Sequence, residues 1–487
     1  MQTRRTFLKS SLLGASALSL NYIPASAMGA NDRLRAAVLG VGGRGNNHCE
    51  AFAALENVQL VAVADPDLRR AEGTKKRWEE KIGTEITAYQ DPRKLLEDKS
   101  IDVVSVASCN HWHTLLSLWS AEAGKHVYCE KPCSHTLFES RQLVNAMKRY
   151  GILIQHGTQH RSNSKWQGAA RAFQSGKYGK PIALFAYVNR TRNGIGFKPV
   201  QDPPKELDWN LWLGPVDYQP YTENNFVYNW HWFWNTGDGE IGNNGVHMFD
   251  LSRLAAGNPH VQPRTVQSFG TRLINAPDDG YKDQGETPSI QAAVYDLDGL
   301  PVYYSCCNLR DKNNPWKSME TAHFVTDEGV VTNSQFISND GKSSPLDLEF
   351  NPEKSVNFLN GTVDHFQNFV DCVRANTPEK LVAPIVEGHY STSLCHLGNI
   401  SYRTGRQATL AECMDSISDH PLLVKEVEAA LANVKSLIPA LNLEKDVPFT
   451  LGQKLEFDSE TEKFVSNPAA DALLRRPGRG EFVVKEY

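Results

Sequence analysis

Long apolar runs are scarce in this chain of 487 residues. The one strongly apolar stretch, from Ser11 to Leu20, lies at the extreme N-terminus. A bilayer span needs about 20 apolar residues, so a polytopic membrane protein is excluded. No block of Lys or Arg stands out, and acidic residues outnumber basic ones by 56 to 51, for a net charge of −5. A phosphate-tracking nucleic-acid surface is therefore not expected. No CxxC pair occurs among the nine cysteines, an odd number scattered from Cys49 to Cys413. That pattern supports neither a zinc site nor a disulfide framework, so buried free thiols and no metal are expected. Apolar residues at 40% and charged residues at 22% exclude a disordered or collagen-like chain. At about 150 residues per domain, the length suggests two to three domains.

The first residues read as an address. Arg4 and Arg5 precede the modest apolar core, and Ala25-Ser26-Ala27 offers a small-residue cleavage site. Residues 1–27 are expected to be a twin-arginine signal, with the export machinery as partner and the periplasm as destination. That route carries proteins already folded, which predicts a cofactor captured before export and held tightly.

A short apolar run, Arg35 to Leu39, leads into Gly40-Val41-Gly42-Gly43-Arg44-Gly45, which fits G-x-G-x-x-G. A helix-competent stretch, Asn46 to Leu55, and a second apolar run, Val58 to Ala64, follow, ending at Asp65. In a dinucleotide-binding turn the first glycine permits the bend, the second admits the pyrophosphate, and the third lets helix pack on strand. The free N–H groups of the helix start would face the phosphates. Asp65 would accept hydrogen bonds from the adenosine ribose. With Asp67 nearby its charge would repel a 2′-phosphate, so NAD is favoured over NADP. Strand-like runs at Ile101–Ala107 and His126–Cys129 follow. They end in Ser108-Cys109-Asn110-His111-Trp112-His113 and in Glu130-Lys131-Pro132. Ligands of open parallel sheets bind beyond the carboxyl ends of strands, and all these segments fall there.

These segments, with Gly237-Asp238-Gly239-Glu240-Ile241-Gly242-Asn243-Asn244-Gly245-Val246-His247-Met248-Phe249-Asp250, resemble the Gfo/Idh/MocA oxidoreductase family over roughly residues 33–415. The family includes glucose–fructose oxidoreductase and inositol dehydrogenases. The resemblance implies an α/β protein: a Rossmann doubly wound parallel sheet over 33–157, then a substrate-binding α/β domain with a large, mostly antiparallel sheet over 158–415. Residues 416–487 resemble the extension of exported relatives and are expected to pack along the body. The resemblance also implies nicotinamide chemistry on sugars, cyclitols or related polyols, with cofactor contacts from Gly40, Gly42, Gly43, Arg44, Gly45, Asp65, Ser108, Asn110, His113, Glu130, Lys131 and Gln159. A homo-oligomer formed through an exposed sheet face is expected by the same analogy.

Gln159 and Arg161, after Ile154-Gln155-His156, would point toward the nicotinamide ribose and the substrate. Strand-like runs lie at 182–189, 265–272, 289–295, 302–308 and 321–326, with turns at Asp298-Gly299 and Glu328-Gly329. Helices at about 362–374 and 391–403 are expected on one face of that sheet. Five of the ten tryptophans fall within Trp209–Trp234. Aromatic faces suit the apolar face of a pyranose, so most are expected to be structural while Trp232 faces the substrate and His231 bonds its hydroxyls.

Hydride transfer at an alcohol needs a proton shuttle on the oxygen, and Lys131 and His247 are the candidates. A desolvated lysine beside a positive ring loses its proton more easily, and a histidine titrates near neutrality. Asp250, three residues beyond His247, could orient the ring. Many family members carry aspartate at the position of Asn243. Asparagine cannot take a proton, so Asn243 is expected to bind substrate. The leading reading is a periplasmic NAD-dependent oxidoreductase acting on a ring carbon of a sugar, glycoside or cyclitol. The alternatives are a redox-neutral NAD-dependent glycosidase working by transient oxidation and elimination, and a non-catalytic sugar-binding relative.

Overall fold

The computed structural model describes residues 33–309, 319–346 and 363–487. The segment expected to be a twin-arginine signal, residues 1–27, lies outside the described residues. The first unit is a six-stranded parallel sheet, β1 (Leu34–Leu39), β2 (Val58–Ala64), β3 (Thr87–Tyr89), β4 (Val103–Val106), β5 (His126–Cys129) and β6 (Ile154–His156). Its order is β3-β2-β1-β4-β5-β6, reversing direction beside β1. Helices α1 (Arg44–Ala53), α2 (Leu68–Ile82), α3 (Pro92–Leu96), α4 (Asn110–Glu122) and α5 (Leu137–Tyr150) connect the strands. The strands are short and apolar because both faces are covered. β3 is brief and half-exposed, and its apolar signal is too weak to stand out in the sequence.

After α6 (Ser164–Gln174) the chain enters a second, mixed sheet of twelve strands. Its centre is β7 (Pro181–Asn189), β8 (Thr265–Thr271), β9 (Ile290–Leu297), β10 (Leu300–Cys307) and β11 (Met319–Thr326). Only β7 and β10 run parallel among these pairings; β8–β9, β9–β10 and β7–β11 are antiparallel. The β9–β10 hairpin closes on Asp298-Gly299, both with positive φ, as a two-residue turn requires. The 2-residue period of β7 sorts its side chains strictly. Leu184, Ala186 and Val188 enter one core, while Ala183, Phe185 and Tyr187 enter the other.

The first of those cores is filled by α6, by α8 (Val246–Ala255) and by α10 (Ile385–Arg403). A short helix α7 (Trp209–Leu213) precedes α8, and α9 (Val363–Ala375) precedes α10. The two helices expected on one sheet face part company. α10 packs on the second sheet, but α9 returns to the first. Phe366, Phe369 and Val370 join the core formed by Leu34, Ala36 and Phe52. Phe366 stacks on Tyr128 with ring centroids 3.9 Å apart.

The remaining chain, α11 (Leu410–Asp415), α12 (Pro421–Leu437) and α13 (Pro468–Asp471), lies along the body as expected. Leu423, Val427, Ala430, Leu431 and Val434 of α12 fill the far core of the second sheet. Their spacing is one helical stripe. The sheet face offered as a self-association surface is thus covered by the chain itself. All nine cysteines are free thiols, eight of them buried.

Because Phe366 is fully buried in the core of the first unit, Phe366→Ala should lower stability by about 3–5 kcal/mol. Urea unfolding monitored by circular dichroism checks this; a loss below about 1 kcal/mol would contradict the packing.

Candidate active site

The carboxyl ends of the parallel strands open into a cavity of about 610 Å³, closed on its other side by residues 226–247. The glycine turn forms its floor. Gly40 has φ +89°, and a Cβ there would lie 2.7 Å from Ser108 Cα. A Cβ on Gly45 would lie 1.8 Å from the Gly40 carbonyl oxygen, so α1 rests directly on the turn. Gly45 therefore serves packing and does not line the cavity. A Cβ on Gly43 would meet nothing within 4 Å, and α1 carries no side-chain cap. The positive end of its dipole suits an anion.

Asp65 closes the adjoining end. Its Oδ2 accepts from Val41 N–H (2.9 Å) and its Oδ1 from Asp67 N–H (3.0 Å). Burial nevertheless raises its pKa to about 6. Beside it lies an apolar slot bounded by Trp112, Leu211 and Trp212. Asp67 behaves differently from the expectation. Its carboxylate caps α2 and is held by Arg69 (2.8 Å) and Arg70 (3.3 Å), which compensates its charge. Repulsion of a 2′-phosphate falls to Asp65 alone.

At the other end stand Glu130 and Lys131. Glu130 is 3% exposed. Burial opposes its charge, but Arg44 (2.9 Å) and His48 (2.9 Å) hold its carboxyl well below the usual range. His48 in turn contacts Ser105 Oγ at 2.5 Å. His113 is clamped between the carbonyls of Pro132 (2.6 Å) and Ser108 (3.0 Å), fixing two strand ends against each other. Asn110 donates to Asp238 Oδ2 across the two units (3.2 Å).

Lys131 Nζ donates to the Asn243 carbonyl oxygen (2.5 Å) and to Asn243 Oδ1 (3.2 Å). This carbonyl belongs to a single π turn, Ile241–Gly245, running into α8. Such turns interrupt the regular ladder and recur at functional sites. Burial lowers the Lys131 pKa, opposed chiefly by Glu130. His247, one residue into α8, faces the same cavity. Burial holds it well below its ordinary value, with His160 and Lys131 adding to the effect. The His160 and His247 rings meet edge to face at 4.9 Å. His247 Nδ1 and Gln159 Oε1 are buried without a partner. Such atoms at a cavity wall suit a polar ligand.

Most expected residues line this cavity: Gly40, Gly42, Gly43, Arg44, Asp65, Ser108, Asn110, His113, Glu130, Lys131, Gln159, His231, Asn243 and His247. Arg161 does not. Its Nε donates to Asp250 Oδ2 at 2.6 Å, and both groups are buried. A buried carboxylate needs a counter-charge, and Arg161 supplies it. Asp250 Oδ1 accepts from Ser391 Oγ (2.7 Å), so Asp250 does not orient His247. Trp232 is likewise turned away, with the Arg192 guanidinium over its ring at 5.5 Å. Trp230 and His231 face the cavity instead, stacked at 3.6 Å. They sit with Trp232 on one 3₁₀ turn, where neighbouring side chains diverge by about 120°. His231 Nδ1–H donates to the Tyr228 carbonyl, and burial lowers its pKa to about 3, so the ring is neutral.

The ion pair Arg190–Glu320 and His160 also line the cavity, though sequence reasoning missed them. Arg190 directly follows β7 and Glu320 lies in β11, paired opposite Val188. A charged residue at the end of an apolar strand was the available signal.

Comparison with known proteins now has a geometry to refer to. Residues 34–158 match the profile described as "Oxidoreductase family, NAD-binding Rossmann fold", and residues 187–278 match "Oxidoreductase family, C-terminal alpha/beta domain", both of the Gfo/Idh/MocA family. Two stretches of the chain, together a little under half of it, match the two domain profiles of the Gfo/Idh/MocA oxidoreductase family. A myo-inositol 2-dehydrogenase of Thermotoga maritima is 32% identical over 151 residues, 31% of this chain and 44% of that protein. A scyllo-inositol 2-dehydrogenase (NAD(+)) of Bacillus subtilis is 32% identical over 31% of this chain and 43% of that protein. The chain thus spans about half the length of the curated relatives it matches. Among solved structures, the WlbA dehydrogenase of Bordetella pertussis, in complex with NADH and UDP-GlcNAcA, gives a TM-score of 0.56 at 17% identity, covering 77% of this chain and 96% of that one. A levoglucosan dehydrogenase in complex with NADH and levoglucosan gives 0.54 at 16% identity, covering 75% and 96%. These likenesses establish the Gfo/Idh/MocA fold.

The open Gly43 face, the uncapped α1, Asp65 and the roomy cavity between them fit NAD, the cofactor of this Rossmann domain. Ribose hydroxyls donate to a carboxylate, so binding favours ionised Asp65. Since Asp65 titrates near 6, NAD affinity should rise with pH, by up to about tenfold per unit below 6, and level off above it. Titration calorimetry across pH 5–8 checks this, and Asp65→Asn should flatten the profile.

Proposed function

We propose that this chain is a periplasmic NAD-dependent oxidoreductase that acts on a ring carbon of a sugar, glycoside or cyclitol and retains its cofactor tightly. The observation that carries the reading is Lys131 and His247 lining one cavity with the glycine turn and Asp65. NAD, when bound, supplies the hydride acceptor or donor. The names of the relatives, inositol and levoglucosan dehydrogenases, support a polyhydroxylated substrate. Arg4-Arg5 and Ala25-Ser26-Ala27 support export. The protein associates as a homo-oligomer through a surface other than the sheet face filled by α12.

Lys131 moves the proton at the reacting hydroxyl oxygen. Desolvation favours its neutral amine, and the Asn243 carbonyl and amide oxygens fix the ammonium form by two hydrogen bonds. His247, neutral in the buried site, binds the same or a neighbouring hydroxyl. Its partnerless Nδ1 is a ready contact. Asn243 positions the lysine and carries no charge of its own. Trp230 and His231 present a stacked face to the substrate.

Denaturing the purified protein should release NAD, and the intact protein should turn over a sugar or cyclitol. Lys131→Ala should keep the nucleotide but lose turnover by about 10²–10⁴-fold. A variant with wild-type activity would remove Lys131 from the chemistry. Aglycone release without net NADH would instead assign glycoside cleavage, and a protein with no nucleotide would assign sugar binding alone.

Asn243→Asp places a carboxylate against Lys131 Nζ. An opposite charge that close favours the ammonium form by about 1–3 pH units. The rise of kcat/KM with pH, followed in the direction of alcohol oxidation, should therefore shift upward by that amount. An unshifted profile would show that another group titrates.

A further inference from the structure

The last residues of the chain leave the second sheet and lie against the first unit. Phe482 and Val484 enter the core that holds Trp112, Leu115 and Val127. Two of the three arginines ahead of them, Arg476 and Arg479, reach backbone carbonyls behind the slot. Arg476 Nη2 donates to the His111 carbonyl (2.6 Å), in the first turn of α4. Arg479 Nε donates to the carbonyls of Gly214 (3.1 Å) and Val216 (3.0 Å). Its Nη2 donates to the Asn210 carbonyl (2.7 Å) and its Nη1 to Asn210 Oδ1 (2.5 Å).

These acceptors belong to α7 and the turn after it. A five-residue helix does not hold itself. Its Asn210 carbonyl accepts from Gly214 N–H and again from Arg479, which also ties down the Gly214 and Val216 carbonyls of the turn that follows. α7 carries Leu211 and Trp212, which with Trp112 wall the slot beside Asp65. The same wall is tied from behind. Trp112 Nε1 donates to the Trp212 carbonyl (2.9 Å), and its ring meets Phe482 edge to face at 5.5 Å. Gly214 has φ +52°, and a Cβ there would lie 2.2 Å from the Trp112 ring, so the turn is wedged against it.

We propose that residues 475–487 are a brace that fixes Trp112, Leu211 and Trp212 around the adenosine end of the cofactor, with Arg479 as a positioning residue for cofactor retention. The proposal rests on the reading of this cavity as an NAD site. None of the brace residues lines the end of the cavity that holds Lys131 and His247. Binding and chemistry should therefore separate.

Arg479→Ala in the full chain should raise the NAD Kd at least tenfold, measured by calorimetry on nucleotide-free protein. It should also shed NAD on gel filtration, while kcat at saturating NAD stays within twofold of wild type. Arg479→Lys, which keeps the charge but not the fork, should fall between. A folded Arg479→Ala protein with an unchanged Kd overturns the proposal. So does a variant whose kcat falls as much as its affinity. Should Arg479→Ala not fold, Phe482→Leu is judged by the same two measurements. Wild-type protein that binds no NAD would instead overturn the reading of the cavity.

Discussion

The site exists because two sheets built from different parts of the chain meet, and one hydrogen bond closes the meeting where chemistry would occur. Lys131, at the end of β5, donates to the carbonyl of Asn243 in the π turn ahead of α8. A regular helix would commit that carbonyl to an N–H one turn further on. The lysine takes its acceptor from within this irregular turn. The turn also sets the start of α8, and hence the position of His247. A single local irregularity thus serves both groups of the proposed proton shuttle.

The seam carries buried charge, and each charge has a partner. Glu130 is matched by Arg44, with a hydrogen bond from His48 beside it, and Asp250 by Arg161. Glu387 is matched by Arg253 and is hydrogen-bonded to His260. Removing one member of such a pair costs about 3–5 kcal/mol, because the other stays buried and uncompensated. The Arg161–Asp250 pair joins the turn after β6 to α8, and Ser391 adds α10. These contacts fix the orientation of α8, and His247 rides on it. The frame is rigid, while the cavity side of His247 and Gln159 keeps unpartnered atoms.

Much of this was legible in the sequence, and the reasons differ by element. β1, β2, β4 and β5 are doubly covered strands whose apolar runs stand out locally, and the glycine turn has a spacing that backbone geometry dictates. The positions of Asp65, Asn110, Glu130 and Lys131 followed from strand ends alone. Failures arose where a side chain had two chemically acceptable partners. Arg161 could face a ligand or a buried carboxylate, and spacing does not reveal that Asp250 would be there to claim it. Asp67 could repel a phosphate or cap α2, and Arg69 and Arg70 settle the matter in three dimensions. Trp232 among five tryptophans depended on the phase of one short 3₁₀ turn. α9 joins the first unit through contacts that no local pattern encodes, whereas the stripe on α12 was present in the sequence and unused.

The absence of a carboxylate at position 243 reorders the electrostatics of the reactive end. Lys131 already faces Glu130, which favours its charge, against burial, which opposes it. A second carboxylate would tip that balance toward a permanent ammonium, able to bind an oxygen but reluctant to take its proton. The amide supplies the same hydrogen-bond geometry without the charge. Arg44 acts in the same direction from behind, because its charge opposes that of the lysine and offsets that of Glu130. The lysine is therefore positioned by neutral dipoles and left for desolvation to tune, which is the condition under which an amine can serve as a base near neutral pH.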